Sequence, residues 1–508
     1  MNLIAERELS TLEPRDIGVS GRLHSVFSAI AAAPLAQVAG KVGVCSFLAL
    51  LFLRHFYVSD PDIWWHLAAG RWILQHHALP MTDPFSSYGL GKPWIVYSWM
   101  FDVIVQLLYR PFGYAAIAYF EVLIRMALAV ALFHLVQSLL PHFWRAAVIT
   151  GVSLYAMSWV IGPRPGMLTT LFVMIELNIL LSVRRTGVAK KLWLLPPLFV
   201  IWANWHIQFV YGLLLLAVFA CEALVSRLLK NKTTKVNLLP LKGVWLVSCA
   251  SFFATLVSPY GARLYAMIFQ FMHLPRLLDQ VTELRAMTFR QPSNYVVLFL
   301  ALSAAMAIGW RRDTRLLWPI LLSIASVLAF RSVRETWFLA VISACALADG
   351  WDLKGSEDRP PLAPRYRLAT AVFLLAVAIV GCRYYGVSND FIEIQVTGDF
   401  PETAARYIEK QHLVGPLYND YNWGGFLIWR LPQLRVAIDG RASVHGDERS
   451  GHFTDVWLGR PEWASDPELL QSNLVLAKRN TALASLLRLD QRFKIAYEDV
   501  QAVVFQRR

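Results

Sequence analysis

Two carboxylates separated by a proline, Asp60-Pro61-Asp62, run directly into Ile63-Trp64-Trp65-His66. Groups of these types could take a proton from a hydroxyl, hold a divalent cation, or do both. They follow an apolar segment ending near Val58. Charge at the rim of a bilayer is costly and marks function more often than packing. The plainer reading is that the two acids begin a helix, whose N-terminal dipole favours carboxylates. Asp62 and His66 are four apart and share a helical face, as two metal ligands might, although a lone pair of this kind is a weak signal for Mg or Mn.

Further groups could share that chemistry. Arg71, Asp83 and Lys92 follow in the same stretch. Arg164 lies in Gly162-Pro163-Arg164-Pro165-Gly166, Asn204 and His206 in Trp202-Ala203-Asn204-Trp205-His206, and Arg331, Arg334 and Glu335 close together beyond them. A carboxylate can deprotonate an attacking hydroxyl, while arginines and a histidine stabilise charge growing on a departing phosphate. Each has a bland alternative. Arg164 could anchor a helix end at headgroups, Asn204 and His206 could be interface residues, Asp83 a turn former, and Arg331, Arg334 and Glu335 a local ion pair. Asp439 and Arg441, in Ile438-Asp439-Gly440-Arg441, sit just past an expected strand, where open α/β sheets bind ligands; turn chemistry accounts for them equally.

The elements that must position these groups are mainly membrane helices. Of 508 residues, 56% are apolar and only 16% charged, against about a quarter charged in soluble proteins. The net charge of +13 is carried by short basic runs between apolar segments, the pattern of cytoplasmic loops, and no basic patch interleaved with exposed aromatics points to nucleic acid. The five cysteines lie in apolar segments without CxxC spacing and read as buried hydrophobes. Charged residues from Glu6 to Asp16 read against a cleavable signal peptide. About 20 apolar residues span a bilayer, and candidates fall near 38–58, 114–140, 146–162, 165–183, 192–207, 208–228, 243–260, 293–310, 315–331, 335–351 and 368–387. The shorter stretch 95–112, with Asp102 and Arg110, is assigned to the interface, because only then do the basic clusters share one side.

The expected protein is therefore a polytopic α-helical membrane protein of about eleven transmembrane helices. Residues 1–37 form a cytoplasmic segment and 38–387 the membrane domain, whose first outer loop (59–113) carries interfacial helices. Residues 62–76 suit a helix lying on the membrane, with Trp64, Trp65, Trp72, Trp94 and Trp99 in an aromatic belt. Residues 388–508 form a small extracytoplasmic α/β domain, with a helix near 402–411 and strands at Leu417–Asn419, Leu434–Ile438, Leu474–Ala477, Phe493–Tyr497 and Ala502–Phe505.

Asp60-Pro61-Asp62-Ile63-Trp64-Trp65-His66, the Thr82-Asp83-Pro84-Phe85-Ser86 turn, Lys92-Pro93-Trp94, Asn419-Asp420-Tyr421-Asn422-Trp423-Gly424-Gly425 and Asp439-Gly440-Arg441 together resemble bacterial membrane glycosyltransferases of the GT-C superfamily, in the dolichyl-phosphate-mannose mannosyltransferase-like group. The resemblance covers residues 38–210 and 400–508. It implies a plasma-membrane glycosyltransferase that moves a sugar from a polyprenyl-phosphate carrier to an extracytoplasmic acceptor, with membrane lipids around it. A first-loop acid, Asp60 or Asp62, would be base or metal ligand. The intervening proline departs from the adjacent acid pair of many relatives; Asp60, fixed by Pro61, is the narrowly favoured base. A transporter of lipid-linked saccharides, or a non-catalytic scaffold of envelope-polysaccharide assembly, is the alternative.

Overall fold

The structure, a computed structural model, describes residue 43 and residues 60–158, 162–228, 240–272, 281–311, 316–351 and 364–508. The expected first span, 38–58, and the N-terminal segment 1–37 lie outside these, apart from Gly43. Four helices are long and apolar enough to cross a membrane by length and composition: Tyr114–Leu139, Gly166–Thr186, Ile207–Val225 and Pro292–Trp310. Phe143–Met157, Leu241–Thr255, Leu317–Arg331 and Leu375–Tyr384 are apolar but shorter. Among the described residues, length and composition alone do not reach the expected count of eleven spans. At 192–207 the reason is local, because Pro196 and Pro197 set the start of a separate helix, Leu195–Trp205, behind a 3-10 turn, Ala189–Leu194. Eleven residues rise only about 16 Å.

Thr336–Trp351 is apolar on all sides and is the centre of the helical part. Nearly all its side chains are buried, as expected for a helix with no polar face. It packs against Pro292–Arg311, Leu317–Arg331, Phe143–Met157 and Tyr114–Leu139. Small residues let it approach: a Cβ on Gly350 would meet the Ala307 Cβ at 2.9 Å, the close backbone contact that membrane helices favour. Two of the acids inside these helices are paired with arginines. Arg184 donates to Glu222 at 2.6 Å, joining Gly166–Thr186 to Val210–Leu228, and Arg125 bonds Glu121 one turn away, as expected of an acid and a base at that spacing.

The first-loop helices Asp62–His76 and Trp99–Phe112 are present, but the first is not a one-faced surface helix. Trp64 is fully buried, and Trp65 and Trp94 nearly so, so these rings belong to the core and not to a headgroup belt. The two helices cross at Gly70, where any Cβ would sit 2.1 Å from the Asp102 carbonyl oxygen. Trp64 packs among Tyr114, Phe400, Phe426 and Trp429, with ring centroids 5.0–6.0 Å away. Three of those four rings, Phe400, Phe426 and Trp429, come from the C-terminal region, which thus roofs the Asp62–His76 helix. In the second expected outer loop, Arg263–Met272 is helical and Thr282–Leu284 is a 3-10 turn.

The C-terminal domain contains four strands, β1 (Leu417–Asn419), β2 (Leu474–Lys478), β3 (Phe493–Glu498) and β4 (Ala502–Arg507), in order β1-β2-β4-β3. β1 and β2 are parallel, and the other pairs antiparallel. The expected strand at Leu434–Ile438 is reduced to single bridges of Val436 with Leu417 and Ser86. It is spent on tying the sheet to the first loop: Val436 N donates to Phe85 O at 3.2 Å, and Val436 O accepts from Ser87 N at 2.9 Å.

Candidate functional site

The Asp60-Pro61-Asp62 segment enters its helix beneath Gly425 and Gly440 of the C-terminal region. A Cβ on Gly425 would lie 2.5 Å from the Pro61 carbonyl oxygen, and one on Gly440 2.1 Å from Asp62 Oδ1. The glycines of the two C-terminal motifs are thus explained by close approach. The acids then diverge. Asp60 is buried and ion-paired through Oδ2 to Arg164 Nε; its Oδ1 accepts from Arg164 Nη2 at 3.1 Å and from Asp62 N at 3.0 Å. Asp62 is half-buried. Its Oδ1 accepts from Trp65 Nε1 at 3.1 Å, and its Oδ2 lies 4.0 Å from Arg164 Nη2.

Asp62 faces a cavity of about 980 Å³, at the upper end of ordinary ligand pockets. Its charged wall holds Asp62, His66, Arg164, His206, Glu283 and Arg334, and its other wall includes Tyr421, Asn422, Phe453 and Trp457. Glu283 bridges the guanidiniums of Arg164 and Arg334. Burial raises the Glu283 carboxyl, but Arg334 and Arg164 outweigh this and hold it at about 2. For Asp62, burial and the neighbouring Asp60 push the carboxyl up to about 6 despite Arg164 and His66. A carboxylate near that value is poised for proton exchange at neutral pH. His206, which contacts Thr169 Oγ1 through Nδ1 at 3.3 Å, is pushed down to about 3 by burial and by Arg334 and His66. These causes favour the neutral imidazole.

The remaining sequence candidates separate cleanly. Arg164, Arg334, His66, His206 and Arg441 line the cavity with Asp62. Arg441 is also a buried brace, bonding Asp83 at 2.6 Å and Asp439 at 2.7 and 2.8 Å, while His445 Nε2 lies 3.0 Å from Asp439. Asp83 and Asp439 act behind the wall; Asp83 additionally accepts from Phe85 N at 3.0 Å and Ser86 N at 3.2 Å, the side-chain turn chemistry of aspartate. Four candidates fall outside. Arg71 donates to Trp429 O at 2.9 Å, and Lys92 is exposed over the Tyr88 ring. Asn204 is consumed by Trp99 Nε1, Val200 O and Val257 O, and Arg331 is exposed at its helix end. The expected local pair of Arg334 with Glu335 is replaced by Arg334 with Glu283.

Two groups were not among the sequence candidates. Asp102 bonds His66, and its signal was one acid inside an apolar stretch. Glu283 was one of several loop charges, and only the fold distinguishes it. As a metal site the acidic pair fits poorly, since a guanidinium already supplies the positive partner of Asp60. Among the described residues no three His, Cys, Asp or Glu groups converge as a metal cage.

No protein-family model matches the chain, and no curated protein matches it in sequence. Among solved structures it is similar to the Archaeoglobus fulgidus oligosaccharyltransferase in its apo form, with a TM-score of 0.51 and 10% identity over 88% of this chain and 69% of that one. It is also similar to ArnT from Cupriavidus metallidurans bound to undecaprenyl phosphate, with a TM-score of 0.48 and 15% identity over 93% of this chain and 98% of that one. The likeness to the first shows that this chain shares the fold of that oligosaccharyltransferase.

Proposed function

We propose that the chain is a membrane glycosyltransferase that moves a sugar from a polyprenyl-phosphate donor to a hydroxyl-bearing extracytoplasmic acceptor. The observation that carries this reading is the cavity that sets the raised carboxylate of Asp62 against Arg164 and Arg334. Asp62 takes the acceptor's hydroxyl proton as its oxygen attacks the anomeric carbon. The bond from that carbon to the phosphate oxygen breaks, and the electron pair leaves on the lipid phosphate. Arg164 and Arg334 exchange part of their hold on Glu283 for the phosphate, whose charge they stabilise. Asp60 keeps Arg164 aimed.

By the same reading the chain lies in the bacterial inner membrane, with the cavity and the 388–508 domain on the outer side. A phosphatase reporter fused after residue 390 should then be active, and one at 188 inactive. For the reaction, a deletion strain should regain product with wild-type protein but not with Asp62→Asn at equal membrane abundance. Full complementation by Asp62→Asn would instead favour the scaffold.

A further inference from the structure

His66 lines the cavity through a ring whose other side is fixed. Its Nδ1 lies 2.6 Å from Asp102 Oδ1, and the ring is stacked on Trp65 and edged by Phe101. With Nδ1 turned inward, Nε2 is the nitrogen left to the cavity. Asp102 is fully buried. Its Oδ1 also accepts from Ser98 Oγ at 3.1 Å, and its Oδ2 has no partner among the described residues. Two arrangements of this pair place a hydrogen on Nε2: Asp102 keeps its proton and donates to Nδ1, or an ionised Asp102 faces an imidazolium. A phosphate oxygen at Nε2 selects these over the third, an ionised Asp102 accepting from Nδ1–H of a neutral ring whose Nε2 carries no hydrogen.

We infer that His66, held by Asp102, is a third phosphate ligand of the cavity, its Nε2–H donating to a phosphate oxygen of the lipid carrier. Asp102 is the positioning residue. It touches no ligand, and it supplies the counter-charge that lets the proton sit on the ring when the anion arrives. Arg164 and Arg334 are already shared with Asp60 and Glu283, whereas His66 Nε2 is bonded to no group among the described residues. The groups facing His66 are Asp102 from the Trp99–Phe112 helix, Asp62 from its own helix, and His206, which is neutral. This rests on the transferase reading, because it assigns the same phosphate.

The test is binding of undecaprenyl phosphate to the purified full chain in nanodiscs, at pH 8 and at pH 5.5. His66→Phe should weaken binding about tenfold, the scale of one charge-assisted hydrogen bond, at both pH values. Asp102→Asn should weaken it too, and should add nothing to the loss in a His66→Phe background, because Asp102 acts through the ring. His66→Gln, which keeps an N–H donor, should lie between wild type and His66→Phe and covers any failure of the phenylalanine variant to fold. Wild-type affinity in both His66 variants, with Arg164→Ala still defective, would overturn the His66 assignment alone. Absence of binding by wild type would overturn the transferase reading with it. An Asp102→Asn loss that adds in full to that of His66→Phe would overturn the positioning role.

Discussion

Gly440 offers the sharpest perturbation, because it reaches the acidic pair from a different domain. A Cβ there would sit 2.1 Å from Asp62 Oδ1 and 3.2 Å from its Cγ. The obstructing atom is the end of a side chain, so Gly440→Ala should turn the carboxylate aside and leave the backbone in place. The displaced group loses the Trp65 Nε1 hydrogen bond, about 1.5–3 kcal/mol for a charged acceptor, and its aim. A misplacement of about 1 Å at a reacting group costs about a hundredfold in rate. Overpacking should cost about 1–3 kcal/mol of stability. Gly424→Ala is the contrast, since its Cβ would fall 2.0 Å from the Ile438 carbonyl oxygen, and backbone must move. Donor-lipid consumption in membrane vesicles, read beside thermal unfolding of the purified chain, separates the two. Gly440→Ala should be folded and slow, and Gly424→Ala poorly folded. A Gly440→Ala protein with wild-type rate, or one as unstable as Gly424→Ala, would refute the reasoning.

The wild-type rate should climb as pH passes about 6, because Asp62 must lose its proton to act as base. The same shift has a stability consequence with a definite sign. The folded chain binds the Asp62 proton more tightly than the unfolded one, so stability declines as pH rises toward and through 6, and Asp62→Asn should melt higher than wild type at pH 8 but not at pH 4. Glu283 works the other way. Held at about 2 against an ordinary 4.5, it contributes stability above 4.5 that is lost as pH falls, so the difference between wild type and Glu283→Gln in denaturant titrations should shrink from pH 6 to pH 3. Arg441→Met leaves Asp83 and Asp439 buried beside one another's empty partner and should cost about 3–5 kcal/mol by chemical denaturation. Arg331→Ala and Lys92→Ala should consume donor lipid at the wild-type rate, whereas Arg334→Ala should not.

The sequence carried the parts of the fold that depend on local pattern. The strands at 417–419 and 474–478 and the helix at 402–410 follow from alternation, caps and proline, and the Glu121–Arg125 pair follows from spacing alone. It could not supply distances between segments. That is why the sequence narrowly favoured Asp60, whereas Arg164, about a hundred residues on, claims Asp60 and leaves Asp62 at the cavity. It is also why Asn204 passed for a site residue: a buried amide and a ligand-binding amide are the same letter, and only Trp99 and Val257 distinguish them. Trp64 and Trp65 were misread because an aromatic run beside a span looks like a belt, and nothing local reveals the domain that covers it.

The central claim is that a cavity carboxylate drives sugar transfer from a lipid phosphate. Its direct measurement uses the purified full chain in nanodiscs with a panel of undecaprenyl-phosphate-linked monosaccharides and a crude outer-envelope acceptor extract, following release of undecaprenyl phosphate by mass spectrometry. The account predicts acceptor-dependent release from at least one donor by wild type, reduced at least a hundredfold in Asp62→Asn while the bound lipid is retained. Release that is equal in Asp62→Asn and wild type, or absent from wild type with every donor, would contradict it.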